Sequence, residues 1–215
     1  MTPVGRIVFC DNDVVLKLAE YNLLQDVCSV LAVGISEVIV LDSAKYYFNG
    51  LKRKLARGKD VAYSSTGLDR AIEIAENTVQ MTSRVDIDWA TECDNIDIGE
   101  AQLVSSAIAA GGDSILLTGD KRFIKAVLKT ESTKHIASLL RGRIVCLEEI
   151  MRSLICNYGI DHIRKAVASA PRCDLGLQIV FGSRFDLPET QVLDGLASMI
   201  NEINTAAECD WLMRL

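Results

Sequence analysis

Four short apolar runs, each followed by a polar turn and a longer amphipathic segment, most limit how this chain can fold. They occupy residues 7–10, 37–41, 114–117 and 143–147 and are rich in Val, Ile and Leu. Each is shorter than an ordinary helix and has the composition of a buried strand. Strands that alternate with helices indicate an α/β fold with a mostly parallel central sheet. We therefore expect a three-layer α/β/α domain.

Helical periodicity fills the intervals between these runs. The first interval holds one or two helices up to about residue 31. Residues 85–88 alternate as a short edge strand or a connector would. Further helices are predicted over residues 42–55, 68–81, 98–110, 121–129 and 136–140.

The strand-like runs stop at about residue 148, and only helical patterns follow. We therefore divide the chain into an α/β domain at residues 1–148 and a helical C-terminal extension at residues 149–215. The extension is too apolar to remain unpacked, so we expect it to cover the domain or to form an oligomer or partner surface. Its helices are predicted over residues 149–158, 160–169, 174–182 and 189–213.

Composition narrows the class of protein. Apolar residues make up 49% of the 215 residues and only three are Pro, which favours a compact core. No apolar run approaches the roughly 20 residues that cross a bilayer, and the N-terminus lacks a secretory signal, so we expect a cytoplasmic protein. None of the seven Cys lies in a C-x-x-C pair, which argues against a zinc knuckle. The net charge of −6 argues against binding nucleic acid by overall charge.

Acidic residues lie where apolar runs end or helices begin. Asp11 and Asp13 follow the first run, and Asp120 follows the third. Asp97 and Glu100 lie around the start of the helix between them. Because the carboxyl ends of parallel strands share one edge of a sheet, we expect Asp11, Glu100 and Asp120 to meet there. Carboxylate oxygens are ligands that suit Mg²⁺ or Mn²⁺.

Such a cluster is suited to hydrolysing a phosphodiester bond. Metal ions held by carboxylates neutralise phosphate charge and activate water, with no need for a His, Cys or Ser nucleophile. The chain has only two His residues, and neither accompanies a matching Ser or Cys motif. Each acid also has an ordinary structural alternative, as a helix cap, a dipole partner or a turn residue.

Three segments together resemble the PIN-domain ribonucleases, a family that includes the toxins of bacterial toxin–antitoxin pairs. They are residues 8–16, which contain Asp11 and Asp13; residues 97–107, which begin with Asp97 and contain Glu100; and residues 115–123, which contain Thr118-Gly-Asp120. Their order and spacing also match, and the resemblance covers roughly residues 5–147.

The resemblance implies a Mg²⁺- or Mn²⁺-dependent endoribonuclease with a PIN-like fold. It implies that Asp11, Glu100 and Asp120 are catalytic metal ligands. It also places Asp13 and Asp97 at the metal, as ligands through water or as outer groups.

The match departs from the family pattern at two positions. Family members often carry a Glu early in the helix after the second strand, where this chain has Asp42 and Ser43. Many also carry an acid just before the aromatic residue of the last segment, where this chain has Arg122. Thr118 matches the family residue that orients the acid at Asp120.

Two basic groups are candidates for holding a nucleic-acid backbone. Lys121 and Arg122 directly follow Asp120, and Lys52, Arg53 and Lys54 end a predicted helix. Cations beside a metal site contact phosphates, but cations at the end of a helix also complement its dipole.

Two roles are possible for a group of three neighbouring aromatic residues. Tyr46, Tyr47 and Phe48 lie near the start of the helix predicted after the second run. There they can stack on bases or pack in the core.

The function expected from these features is a metal-dependent ribonuclease. The resemblance further implies an antitoxin or a second copy as a partner for the C-terminal helices. One alternative is a degenerate PIN-like binding or scaffold module without activity, which the missing Glu and the helical tail favour. Another is a haloacid-dehalogenase-type phosphatase with Asp11 as nucleophile, although that family's last motif expects an acid where Phe123 and Ile124 stand.

Overall fold

A computed structural model of the chain describes residues 6–80, 85–93, 96–206 and 212–215. Within these residues five short strands form one sheet, and every neighbouring pair is parallel. The strands are β1 (Val8–Cys10), β2 (Val38–Val40), β3 (Val79–Gln80), β4 (Ile115–Thr118) and β5 (Ile144–Cys146).

The strand order, β3-β2-β1-β4-β5, places β1 beside β4 at the centre of the sheet. In their register Val8 is paired with Ile115, and the N–H of Asp11 donates to the carbonyl of Leu117 at 3.0 Å. From β1 the chain runs outward to β2 and β3 on one side, whereas β4 leads outward to β5 on the other. This reversal between two neighbouring strands is a topological switch point, the place where open parallel sheets bind ligands at their carboxyl edge.

Helices connect the strands and continue after β5. None of the helices within the described residues is both long and apolar enough to span a membrane. They are α1 (Asn12–Tyr21), α2 (Leu24–Leu31), α3 (Ala44–Ala56), α4 (Ser65–Asn77), α5 (Ile98–Ala110), α6 (Lys121–Lys129), α7 (Lys134–Leu140), α8 (Leu147–Tyr158), α9 (Ile160–Ser169), α10 (Leu175–Phe181) and α11 (Glu189–Ala206), with single 3-10 turns at Ile35–Glu37, Asp88–Glu92 and Glu131–Thr133.

Two apolar cores lie on opposite faces of the sheet. Along β1 the side chains alternate, so that Val8 and Cys10 join one core and Phe9 joins the other. The first core packs against α1–α4 and α8–α10, and the second packs against α5–α7. The predicted α/β class and parallel sheet are therefore confirmed, with helices covering both faces. Burial on both faces explains why the strands are continuous apolar runs.

The C-terminal helices share these cores. Ile150 of α8 and Phe181 of α10 are buried in the first core with the strands. Helix α11 contributes Leu196 to the first core and Ile203 to the second. Residues of the predicted extension therefore help to bury the sheet itself.

The end of the helix predicted over residues 68–81 was wrong. A helix was expected over residues 68–81, but α4 ends at Asn77 and β3 follows it, with Val79 paired to Ile39. Thr78 adopts an extended backbone, which ends the helix and starts the strand. Residue 81 lies outside the described residues.

Residues 85–88 form no strand, so the connector alternative holds for them. Because β3 occupies the edge position beside β2, no place beside β2 remains for residues 85–88. Instead the Asp86 carboxylate accepts from the N–H of Asp88 at 2.9 Å, which starts the 3-10 turn there.

The last helix is also shorter than predicted. A helix was expected over residues 189–213, whereas α11 ends at Ala206. Residues 207–211 lie outside the described residues, and residues 212–215 are not helical.

Candidate functional site

A cleft of about 1060 Å³ opens at the carboxyl edge of β1 and β4. We call it the acidic cleft, because its lining includes the five acids that the sequence singled out. An adjoining cavity of about 520 Å³ shares Asp11, Asp13 and Asp120 with it and extends to Lys121 and Arg122. The acids of the cleft are Asp11, Asp13, Asp97, Glu100 and Asp120.

Asp11 lies between the end of β1 and the start of α1. The pKa of its carboxyl is raised to about 6, chiefly by burial and in addition by the negative charges of Asp13 and Asp97. Hydrogen bonds from the N–H groups of Asp13 and Asn12 lower it in part. Asp11 is therefore a carboxylate whose ionised form is disfavoured by its surroundings.

Asp97 and Glu100 form a capping box at the start of α5. The N–H of Glu100 donates to Asp97 Oδ1 at 2.8 Å, and the N–H of Asp97 donates to Glu100 Oε2 at 2.9 Å. The pKa of Glu100 is raised to about 7, chiefly by burial and in addition by the charges of Asp97, Asp120 and Asp11. The hydrogen bond from the N–H of Asp97 lowers it in part. The same two side chains therefore cap α5 and line the acidic cleft.

Asp120 caps α6 directly after β4. Its Oδ1 accepts from the N–H groups of Arg122 at 2.7 Å and Phe123 at 3.1 Å. The hydroxyl oxygen of Thr118 accepts from the N–H of Asp120 at 3.2 Å, so Thr118 shapes the backbone of this turn.

Asp13 has a cation beside it, unlike Asp11. Lys17 Nζ lies 2.6 Å from Asp13 Oδ2 and 2.8 Å from Asp174 Oδ2, and the Tyr63 hydroxyl donates to Asp13 Oδ1 at 3.3 Å. Burial disfavours a charged Lys17, but the charges of Asp13 and Asp174 outweigh it and raise the pKa of Lys17. We call these four residues the Lys17 cluster.

Sequence reasoning missed Lys17, Tyr63 and Asp174. The spacing of Asp13 and Lys17, four residues apart on one helix, is a signal that could have found the first pair. Tyr63 and Asp174 come from distant segments, and no local pattern connects them to Asp13.

Large apolar side chains form one rim of the acidic cleft. Tyr46 is 76% exposed, Tyr47 is 50% exposed and Ile98 is 69% exposed, although all three line the cleft. Phe48 is buried in the first core. The structure thus divides the three aromatic residues, with two at the cleft and one in the core.

The two basic groups have different positions. Lys121 and Arg122 lie at the cleft. Lys121 pairs with buried Glu148 at 2.8 Å, and the largely exposed Arg122 guanidinium lies 3.4 Å from Asp120 Oδ2. Lys52, Arg53 and Lys54 lie in the last turns of α3, and none of them lines the cleft.

Among the described residues that line the acidic cleft, the charged donors are carboxylates, and neither His nor Cys is present. In the part of the chain that the structure describes, no three His, Cys, Asp or Glu side chains already surround a common metal position.

A second cavity, of about 700 Å³, lies between α1, α2, α4 and α9 and shares no lining residue with the acidic cleft. His162 and Asp26 there are 2.9 Å apart, and the Arg70 guanidinium donates to the Ala19 carbonyl at 3.2 Å. The first contact joins α2 to α9 and the second joins α4 to α1, so we regard both as structural.

A scan against protein-family models, a search of curated proteins and a search of solved structures each found no match. The function of the acidic cleft therefore has to be inferred from its own residues.

Proposed function

We propose that the protein is a metal-dependent endoribonuclease that hydrolyses RNA at the acidic cleft with Mg²⁺ or Mn²⁺ as cofactor. One observation carries this proposal: Asp11, Glu100 and Asp120 come from three separate segments and line one cleft at the switch point of the sheet. The resemblance to PIN-domain ribonucleases rests on the same three residues and supports the same reaction.

The chemistry of the donor set suits a hard divalent cation. Asp11, Glu100 and Asp120 would hold it through oxygen atoms. The raised pKa values of Asp11 and Glu100 reflect burial and neighbouring negative charge, which a cation would relieve. When bound, Mg²⁺ or Mn²⁺ supplies charge neutralisation at phosphate and lowers the pKa of water. Because no three ligands already surround one point among the described residues, binding must draw these carboxylates together.

The rim of the cleft supports a nucleic acid as substrate. Tyr46 and Tyr47 are exposed beside the acids, and exposed aromatic rings stack on bases. Arg122 and Lys121 flank Asp120 and would contact the phosphate backbone. Lys52, Arg53 and Lys54 would act only on a substrate that extends past the cleft.

The two alternatives differ in what the acids do. In the phosphatase reading Asp11 attacks phosphate and Asp13 transfers a proton, but both oxygens of Asp13 are engaged by Lys17 and Tyr63, which disfavours that role. A binding module without activity is favoured by the lack of an assembled ligand group among the described residues.

A partner at the C-terminal helices remains part of the proposal. Leu175 and Ile179, one turn apart on α10, are largely exposed and would suit an antitoxin or a second copy. A cytoplasmic location remains a prediction.

Cleavage of a structured RNA mixture, with Mn²⁺ and with chelator, tests the proposal. Asp120→Asn removes one ligand charge while Asn can still cap α6. We expect it to lower the cleavage rate at least about 100-fold. Mutating a residue that only hydrogen-bonds to a metal ligand already lowers activity by about 10–100-fold, and Asp120 is a proposed ligand itself. Asp161→Asn is the matched control, because Asp161 lies exposed at the start of α9 and does not line the cleft.

Three results separate the readings. Metal-dependent cleavage that Asp120→Asn abolishes supports the nuclease. No cleavage and no thermal stabilisation by Mn²⁺ supports the binding module, since a bound ion stabilises by mass action. Turnover of a small phosphate ester without RNA cleavage supports the phosphatase.

A further inference from the structure

The ammonium of Lys17 is held between two carboxylates beneath the acidic cleft. Its contacts are 2.6 Å to Asp13 and 2.8 Å to Asp174, and the Lys17 side chain is 12% exposed. A buried ammonium needs such partners, because removal from water disfavours the charge.

Both oxygens of Asp13 are engaged by groups outside the cleft. Oδ2 faces Lys17, and Oδ1 accepts from the Tyr63 hydroxyl at 3.3 Å. Asp13 nevertheless lines the same cavities as Asp11 and Asp120 and is half-exposed. The Asp13 carboxylate thus lies near Asp11 and Asp120, but its contacts are with Lys17 and Tyr63.

The cluster lies directly against the turn that carries Asp120. A Cβ atom placed on Gly119 would lie 3.4 Å from Asp13 Oδ2 and 3.7 Å from Lys17 Nζ. Lys17 therefore lies immediately behind Gly119, within reach of the acidic cleft.

Asp174 joins the C-terminal helices to this arrangement. Its Oδ1 accepts from the N–H of Leu177 at 2.9 Å and caps α10, while its Oδ2 contacts Lys17. Lys17 is thus also held by Asp174, so its ammonium cannot follow a movement of Asp13 toward the cleft without losing the contact with Asp174.

We propose that Lys17 is a positioning residue that holds Asp13 out of the metal-ligand set of the acidic cleft. This inference rests on the proposed metal site. The ligands are then Asp11, Glu100 and Asp120, and Asp13 belongs to the scaffold through Lys17 and Tyr63. Loss of Lys17 frees a fourth carboxylate to turn toward the metal position.

Mn²⁺ affinity, measured from the electron paramagnetic resonance signal of free Mn²⁺, tests this. Lys17→Met is expected to bind Mn²⁺ at least about fivefold more tightly than wild type, because affinity rises with the number of charged ligands. The double variant Lys17→Met/Asp13→Asn is expected to return to within about threefold of wild type, since the released carboxylate is gone. A purely structural role for Lys17 would leave affinity unchanged or weaken it.

Three single variants do not depend on the folding of Lys17→Met. Asp13→Asn is expected to stay within about threefold of wild type, whereas Asp11→Asn is expected to weaken binding at least about tenfold. Tyr63→Phe releases the other oxygen of Asp13 without changing charge and is expected to bind about twofold more tightly.

Each contrary result is distinct. Mn²⁺ binding by wild type with equal or weaker binding by Lys17→Met overturns the role of Lys17 and leaves the proposed function standing. Tenfold weaker binding by Asp13→Asn makes Asp13 a ligand and also overturns it. If neither wild type nor Lys17→Met binds Mn²⁺, both the inference and the proposed function fail.

Discussion

Two groups of carboxylates meet at the start of α1 in opposite surroundings. In the acidic cleft, burial and neighbouring negative charge raise the pKa of Asp11 to about 6 and of Glu100 to about 7. In the Lys17 cluster, Asp13 and Asp174 share one buried cation. Asp11 and Asp13 are separated by one residue, yet within the described residues an ion pair forms at Asp13 and not at Asp11.

This difference in charge pairing indicates that the Lys17 cluster is part of the scaffold and that the acidic cleft is the candidate site. A paired charge holds segments together, whereas an unpaired carboxylate in a partly buried position costs stability and persists where function requires it. The Lys17 cluster joins α1, Tyr63 and α10. Asp11 and Glu100 lie near other negative charges, which a bound cation would offset.

Removing the cation of the Lys17 cluster should have the largest effect on stability. Lys17→Met leaves Asp174, whose side chain is only 16% exposed, without its cation, and we expect the free energy of unfolding to fall by about 2–4 kcal/mol. This is somewhat below the cost of breaking a fully buried pair, because Asp13 is half-exposed. The Tm of the metal-free protein should fall by about 6–12 °C. Lys134→Met is the control; its ion pair with Glu131 is exposed, so Tm should change by less than about 2 °C.

Neutralising Asp11 should change stability in the opposite direction. At pH 7.5 without metal, Asp11→Asn removes a disfavoured charge, and we expect a gain of about 1–2 kcal/mol, below the upper limit that its pKa shift implies. The matched variant Asp13→Asn should lower Tm, because Lys17 loses one of its two partners. Equal signs for the two variants in thermal denaturation would contradict the contrast between them.

The pH dependence of the free energy of unfolding should reflect Asp11 and Glu100. The pKa values of Asp11 and Glu100 are raised in the folded state, from 3.8 to about 6 and from 4.5 to about 7. The folded protein therefore binds these protons more tightly, and the stability that they contribute is lost as pH rises through about 6–7. Lowering the pH from 7.5 to 5.5 should raise stability by about 1–2 kcal/mol after allowance for solvent screening.

Calorimetry without metal measures this as a Tm increase of about 3–6 °C. The double variant Asp11→Asn/Glu100→Gln should lose most of the increase. An unchanged pH profile in that variant would assign the effect to other groups.

The smallest effect concerns the basic residues. In chelator, where RNA is not cut, Arg122→Ala should weaken RNA binding by about three- to fivefold and reduce its salt dependence, as loss of one phosphate contact does. Lys52→Ala should change affinity by less than about twofold, because Lys52 pairs with Asp69 away from the cleft. Fluorescence anisotropy measures both, and the reverse order would place the substrate along α3.

Much of the local structure could be predicted from residue patterns. Asp97 and Glu100 have the spacing of a capping box, and α5 begins there. The start of α6 after Asp120 also follows from a short-range capping rule. The strand β3 was missed because two residues after a helix carry too short a pattern to distinguish a strand from a frayed helix end.

The sequence by itself determined the alternation of strands and helices and the positions of acids at strand ends and helix starts, because these depend on periodicity and capping within one or two turns of chain. Only the tertiary structure decided that β1 lies beside β4, so that Asp11 and Asp120 share a cleft. It also decided that Tyr63 and Asp174 join the Asp13–Lys17 pair. These outcomes depend on packing between distant segments, and local residue patterns do not encode which distant side chain meets which carboxylate.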